Sequence, residues 1–568
     1  TGISELNPLW SGDGRYIYFT SSRLKPSYPM GPQDPHMYRL PLRKFDSTYF
    51  ADKYLDLFKA DSLKKKAAAG VVAGIDASRI MDRIESVGPS FSRQLLSTVI
   101  QKDDKTSVLF ITDQVEGKPG LYKTDLKPFE EAKTEKVTGA DGGAADIVQS
   151  GDKYYALIRG GIYKLMLADA GSRVEPINFG YTFRRNLAGE FAQIFQEAWA
   201  QLQENYYDEK FHGVDWAKTK AYYQKFLPGL NNRNDLRILM NDMFGELNSS
   251  HTGFSSSGAD ETTLLTNATM ETGILFDEKN PYKVKSILYG TASDKINVNI
   301  KPGDELVKVN GIAVDNSVDR YYYFTRPSLD KELTLTIRRN EQLLDVRIHP
   351  QRSISDDLYN SWIDNNHRRV DEKSNNKIAY ACMKNMGAGE LEKFMVNMTM
   401  ELANRDGLIL DLRYNTGGNV HDAVLQFLSQ RSYLQWKYRE GGLTPQPNFA
   451  PSDKPIVLLI NEQSLSDAEM TAQGFKSLKL GKIIGNESYR WIIFTSGAGL
   501  VDGSFVRLPS WGCYTLDGRD LEKTGVSPDI KVVNNFEDKL TGRDPQLDKA
   551  IEEILQSGKK QSGARSTD

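Results

Sequence analysis

Cysteine is nearly absent: the chain of 568 residues holds two, Cys382 and Cys513, far apart. That leaves no disulfide framework and no CxxC metal pattern. Histidine is also scarce. The six, at positions 36, 212, 251, 349, 367 and 421, never form an HExxH or a paired ligand spacing, so neither a catalytic metal nor another cofactor is expected. No apolar run approaches the roughly 20 residues that a membrane helix needs. Neither sign of charge dominates: 72 basic residues face 75 acidic ones, for a net charge of −3. A nucleic-acid or polyanion partner is therefore not expected. The chain starts at Thr1 without a methionine, which leaves room for a leader removed upstream, and cysteine usage does not settle the compartment.

What is present is ordinary for a soluble protein, with 39% hydrophobic and 26% charged residues. The length suits three or four domains, each with its own core. Residues 1–180 read as all-β. The signatures His36-Met-Tyr-Arg-Leu, Gly120-Leu-Tyr-Lys-Thr and Gly161-Ile-Tyr-Lys-Leu place tyrosines at 38, 122 and 163. The second interval is 41 residues and the first, at 84, about twice that. A period of this size with short strands marks propeller blades. Three or four blades fit here, so the ring would be completed upstream of Thr1. Lys44 to Ala69, charged and helix-prone, reads as an insertion.

Residues 188–256 change to a helical period. Phe191, Ile194, Phe195, Ala198, Trp199 and Leu202 share one face. A second helix carries Trp216 and Tyr223. A third, capped at Asn234-Asp235, ends in Asn248-Ser-Ser-His-Thr-Gly253, with the glycine closing it. Residues 268–350 read as a small β unit built on Lys301-Pro-Gly-Asp-Glu-Leu-Val-Lys-Val-Asn-Gly311. Its Pro-Gly-Asp-x-Leu-x-x-Val-Asn-Gly run resembles a PDZ domain, which takes an extended peptide as an added strand. Residues 376–536 alternate strand and helix, the grammar of a parallel or mixed sheet wrapped by helices. An amphipathic helix at 545–556 follows.

The chemistry centres on Ile456-Val-Leu-Leu-Ile-Asn-Glu-Gln-Ser-Leu-Ser-Asp-Ala-Glu469. An unbroken apolar run suits a strand covered on both faces. Small polar residues and then an amphipathic run follow, so Ser466 falls on a turn at a helix N-terminus. There the N–H groups and the helix dipole can stabilise an oxyanion. Ser466-Asp-Ala-Glu469 also fits a capping box. Only partners elsewhere decide between cap and nucleophile. Asp411-Leu-Arg-Tyr-Asn-Thr-Gly-Gly418 lies at another strand's carboxyl end, where α/β sheets gather their chemistry. By itself it also reads as a plain turn, just as His251 reads as a helix-end cation and Glu522 as solvated charge.

Taken together, four elements resemble the tricorn protease family, a branch of the tail-specific serine peptidases. They are Asn248-Ser-Ser-His-Thr-Gly253, the Asp411–Gly418 loop, Ser464-Leu-Ser-Asp467, and Glu522 with Gly525-Val-Ser-Pro-Asp529. The resemblance implies a peptidase acting on oligopeptides, with Ser466 as nucleophile and His251 as base. Ser250 and Glu522 would form the supporting relay. Backbone N–H groups of Asp467 and of Gly417 or Gly418 would form the oxyanion hole. It further implies a homo-oligomer, a hexamer in the family, and a cytoplasmic location, with export left open by the missing chain start. The commoner tail-specific proteases use a lysine downstream of the serine. Here Gly485-Asn-Glu-Ser-Tyr-Arg-Trp-Ile-Ile493 has none, and Lys482 comes early. Two alternatives remain: a non-catalytic binder on the same fold, as in retinoid-binding relatives, and a Ser-Lys protease using a residue such as Lys384.

Overall fold

The structure is a computed structural model. It describes residues 5–23, 34–43, 74–89, 92–102, 105–113, 118–127, 130–144, 146–180, 182, 184–258, 261, 267–327 and 332–564, with side chains to 557. The chain is multidomain and separates into Thr1–Arg184 and Arg185–Asp568.

Among the described residues, the first unit contains three four-stranded antiparallel meanders. One is Glu5–Trp10, Tyr16–Ser21, His36–Pro41 and Glu85–Val87. The next is Gln94–Lys102, Lys105–Thr112, Gly120–Leu126 and Lys133–Asp141; the last is Asp146–Ser150, Lys153–Ile158, Gly161–Met166 and Arg173–Pro176. A parallel bridge between Thr138 and Arg173 joins the last two into an eight-stranded sheet. Strand alternation separates two cores: Val108 and Phe110 pack with Tyr18 and Tyr122, while Leu109 packs with Leu121 and Ala156. Each repeated tyrosine, 38, 122 and 163, occupies the third strand of its meander. The third and fourth strands of the first meander pair through Met37 and Val87, 50 positions apart in the chain. The Lys44–Ala69 insertion lies outside the described residues.

The second unit begins with three helices, Leu187–Asn205, Trp216–Tyr223 and Arg233–Gly245. The first buries Phe191, Ile194, Phe195, Ala198 and Leu202, the face expected from the period. Asn232, not Asn234, caps the third, its side chain accepting the Asp235 N–H. Gly253 is not a helix terminus either. The helix ends at Gly245, and Gly253 opens the strand Gly253–Ser255. Residues 267–351 then form a small β unit. Its four-stranded sheet runs in the order Ile312–Ala313, Glu305–Val309, Leu333–Arg339, Gln342–Ile348. Leu306, Leu335, Ile337 and Ile348 fill its core.

The largest core surrounds a five-stranded sheet: β1 (Ile378–Cys382), β2 (Gly407–Asp411), β3 (Ile456–Ile460), β4 (Lys482–Gly485) and β5 (Ile530–Lys531). The strands lie side by side in sequence order and every pairing is parallel. Ile456, Leu458 and Ile460 face helices Ala388–Glu401, His421–Leu428 and Asp467–Ser477, through Phe394, Leu425 and Phe475. Val457 and Leu459 face helices Ser355–Ser374 and Pro545–Ala564, through Val370, Leu547 and Ile551. Burial of both faces explains why β3 reads as an unbroken apolar run. The final helix continues past the expected end at 556 to Ala564.

Candidate active site

Because β2 and β3 are parallel neighbours, their carboxyl-terminal loops leave the same edge of the sheet. The β3 loop is tied down first. Ser464 Oγ donates to the Leu412 carbonyl at 2.7 Å and accepts the Asn461 N–H at 3.0 Å. The chain then turns sharply through Ser466, at φ 58° and ψ −119°, into helix Asp467–Ser477. A non-glycine residue in that region costs on the order of 1–3 kcal/mol and persists only when its surroundings hold it. Glu469 supplies the hold. Its fully buried carboxylate accepts the Ser466 N–H at 2.9 Å, the Arg490 N–H at 2.8 Å, the Trp491 N–H at 2.9 Å and the Ser488 hydroxyl at 2.5 Å. Burial raises its pKa above the ordinary glutamate value. The carboxylate half of the capping box is therefore formed, while the Glu469 N–H bonds the Ser466 carbonyl at 2.9 Å, which leaves the serine hydroxyl for a second use.

Ser466 Oγ lies 3.1 Å from His251 Nε2. The 215 residues between them are bridged by pairing of Gly253 with Arg507 and Phe254 with Val506, on a hairpin that follows β4. His251 sits in the turn before that strand at φ 60°, only 4% exposed, its ring 5.0 Å from that of Trp491. Its Nδ1 is 2.8 Å from Ser250 Oγ, which donates to Glu522 Oε2 at 2.9 Å. Glu522 also accepts the Ser250 N–H at 2.7 Å and the Ile492 N–H at 3.0 Å. With the Ser250 proton directed to Glu522, Ser250 Oγ accepts from Nδ1. That places the histidine proton on Nδ1 and leaves Nε2 as acceptor for the Ser466 hydroxyl. Burial, and then the positive charge of Arg507, lowers the His251 pKa to about 4. Burial raises that of Glu522. The imidazole is thus neutral at pH 7.

The glycine loop lies beside the serine. A β-carbon on Gly417 would stand 2.6 Å from Ser466 Cβ, and one on Gly418 would stand 2.1 Å from the Met386 carbonyl oxygen. Asn415 shapes this loop, donating to the Met383 carbonyl and accepting the Gly417 N–H at 2.8 Å. The expectation for the oxyanion hole is corrected accordingly: the Gly417 N–H is already committed. The N–H of Gly418 makes no hydrogen bond among the described residues, and that of Asp467 has no helical partner at a first-turn position. The Asp467 side chain does other work. It accepts the Val420 N–H at 2.8 Å and the His421 N–H at 3.1 Å, and pairs with His421 Nδ1. Burial opposes charge on His421, yet the Asp467 carboxylate keeps its pKa above the usual histidine value.

Of the residues named from the sequence, Ser466, His251, Ser250 and Glu522 form one hydrogen-bonded chain, Asp467 follows Ser466, and Gly417 and Gly418 lie on the loop beside it. Sequence reasoning missed the clamp of Glu469 on the 488–491 loop and the Asp467–His421 pair. The Ser466–Glu469 capping spacing was the available signal for the former. The lysines go elsewhere. Lys384 Nζ contacts Asn360 at 3.0 Å and Asp356 at 3.6 Å, and Lys482 pairs with Glu553 at 2.6 Å. Among the described residues no cluster suits a metal ion, and no helix is long and apolar enough to cross a membrane.

The peptidase family S41 model matches residues 377–532, and the tricorn protease C1 domain model matches residues 188–245. The chain is 26% identical over 494 residues to the tricorn protease of Thermoplasma acidophilum, covering 80% of this chain and 44% of that one. It is 29% identical over 386 residues to a putative tricorn-like protease C-terminal subunit of Sulfurisphaera tokodaii, covering 64% and 43%. The chain thus spans less than half the length of these relatives. The crystal structure of the tricorn protease superposes with a TM-score of 0.72 at 21% identity, covering 98% of this chain and 55% of that one.

Proposed function

Because the chain belongs to the tricorn protease family of S41 peptidases, we propose that it is a serine endopeptidase that hydrolyses oligopeptides. The observation that carries this reading is the contact of Ser466 Oγ with His251 Nε2 at 3.1 Å, backed by Ser250 and Glu522.

The steps follow from the geometry. Serine is a weak nucleophile until a neighbouring base accepts its proton. His251 Nε2 takes that proton as Ser466 Oγ attacks the peptide carbonyl. The developing imidazolium is stabilised through Nδ1–H by the Ser250 hydroxyl and, behind it, by Glu522. The new oxyanion is held by the N–H groups of Asp467 and Gly418, at the positive end of helix Asp467–Ser477. His251 then returns the proton to the leaving amine, which departs and leaves an acyl group on Ser466. Water, deprotonated by the same imidazole, releases the acid and restores the serine. No metal or other cofactor enters these steps.

The remaining parts have roles on this reading. The meanders in residues 1–180 are the C-terminal blades of a β-propeller. Residues 188–256 are a helical segment of the core. Residues 268–350 are a PDZ-like module that receives peptide. Residues 376–536 are the α/β peptidase domain, closed by the helix that begins in 545–556. The chain works as a homo-oligomer, a hexamer by family resemblance, in the cytoplasm. The test is reaction with a fluorophosphonate followed by peptide mapping. A phosphonyl adduct on Ser466 supports the peptidase; an unmodified Ser466 in a protein that retains ligand binding supports the non-catalytic alternative.

A further inference from the structure

We propose that Trp491 is the floor of a subsite that takes an apolar or aromatic side chain of the peptide next to the scissile bond. The inference rests on the peptidase reading and names a substrate feature recognised at the same site. Trp491 lies on the loop between β4 and the strand Ile493–Gly499. Its ring stands 5.0 Å from that of His251 and 5.5 Å from that of Tyr489. Tyr489 is 52% exposed, so the three rings form a row that runs from the imidazole out to solvent. Trp491 is itself only partly buried and joins none of the apolar cores among the described residues. Trp199, Trp216 and Trp436 each donate their indole N–H to a protein oxygen, whereas that of Trp491 makes no hydrogen bond among the described residues. A large amphipathic ring is thus left half open beside the reacting groups.

The row is held in advance, because every N–H beneath it is used. Five consecutive groups donate. Ser488 N–H bonds the Val526 carbonyl at 3.1 Å and Tyr489 N–H the Ser464 carbonyl at 3.0 Å. The Arg490 and Trp491 N–H groups bond the Glu469 carboxylate at 2.8 and 2.9 Å, and Ile492 N–H bonds Glu522 at 3.0 Å. The loop is therefore pinned both to the nucleophile turn and to the relay glutamate. Arg490 adopts φ 69°, a strained value that persists because these bonds hold it. A surface ordered beforehand binds without the entropy cost of ordering it. The chemistry says which part of the substrate meets this surface. His251 must serve both the serine hydroxyl and the leaving nitrogen, so the peptide crosses the imidazole. Side chains alternate along an extended peptide. The residue before the scissile bond points one way; the first residue after the bond and the second before it point the other way. One of these two lies on Trp491, whose indole face favours an apolar or aromatic side chain over a polar one.

The test compares kcat/KM for two peptide pairs on the full chain, with the cleaved bond assigned by mass spectrometry. One pair carries Phe against Ser in the first position after the bond, the other in the second position before it. The native protein is expected to favour the Phe member of one pair by about tenfold or more, and Trp491→Ala to bring that ratio close to one. Trp491→Gln, which keeps a long side chain, gives the same reading should the alanine variant turn over too slowly to score. Taking the ratio within a pair cancels any general effect on the His251 ring. The pair that loses its preference identifies which neighbour of the bond is held. Equal rates within both pairs in the native protein, or an undiminished preference in either variant, would overturn the assignment. Fluorophosphonate labelling of Ser466 in the native protein is the separate check on the underlying reading. Labelling without a preference for Phe removes only the subsite, whereas absence of labelling removes the peptidase.

Discussion

Gly417 and Ser466 approach so closely that a β-carbon on the glycine would stand 2.6 Å from that of the serine. Gly417 also has φ 80°, where a side chain is strained whatever the space. Substitution Gly417→Ala should therefore push the Ser466 turn out of register with His251. We expect the fluorophosphonate labelling rate to fall at least about tenfold, equivalent to about 1.4 kcal/mol in the barrier. Far-UV circular dichroism should be unchanged.

Ser250 orders the imidazole without touching substrate. Ser250→Ala leaves His251 Nδ1 without its 2.8 Å partner and isolates Glu522 from the ring. The expected loss in kcat is on the order of 10²-fold or more, with KM little changed, because the relay acts mainly in the transition state. Steady-state kinetics on one peptide separates the two constants.

The acid limb of activity should be displaced. A base of ordinary histidine pKa loses activity as pH falls through about 6.5. Burial and Arg507 lower the His251 pKa to about 4, so the neutral, competent form persists further into acid. The kcat/KM profile is expected to stay flat between pH 7 and 5 and to fall only near pH 4. The measurement is kcat/KM against pH for an uncharged peptide.

Glu469 joins the nucleophile turn to the 488–491 loop through four hydrogen bonds. Glu469→Ala leaves three backbone N–H groups and a hydroxyl without that acceptor in a buried setting. Each such group costs about 1–3 kcal/mol, so the variant should melt well below the parent by calorimetry. Lys384→Ala is the contrasting case. Its ammonium faces Asn360 and Asp356, and the cleavage rate should not change.

Much of this site was legible because the motifs are local. The strand, turn and helix around Ser466 follow from β3 being apolar on both faces and from the capping spacing to Glu469. What was hidden depends on segments distant in sequence. Glu469 has partners at 488–491 that no pattern announces, and Asn415 takes the Gly417 N–H only once the loop has closed. His251 is brought to Ser466 with an antiparallel register between segments some 250 residues apart, Gly253 opposite Arg507.

The most direct measurement is the rate at which a fluorophosphonate modifies Ser466 in the native protein and in His251→Ala. The account predicts rapid single-site modification in the first and a loss of about 10²-fold or more in the second, since the hydroxyl would have no base to take its proton. Modification of Ser466 at an undiminished rate in His251→Ala would contradict it.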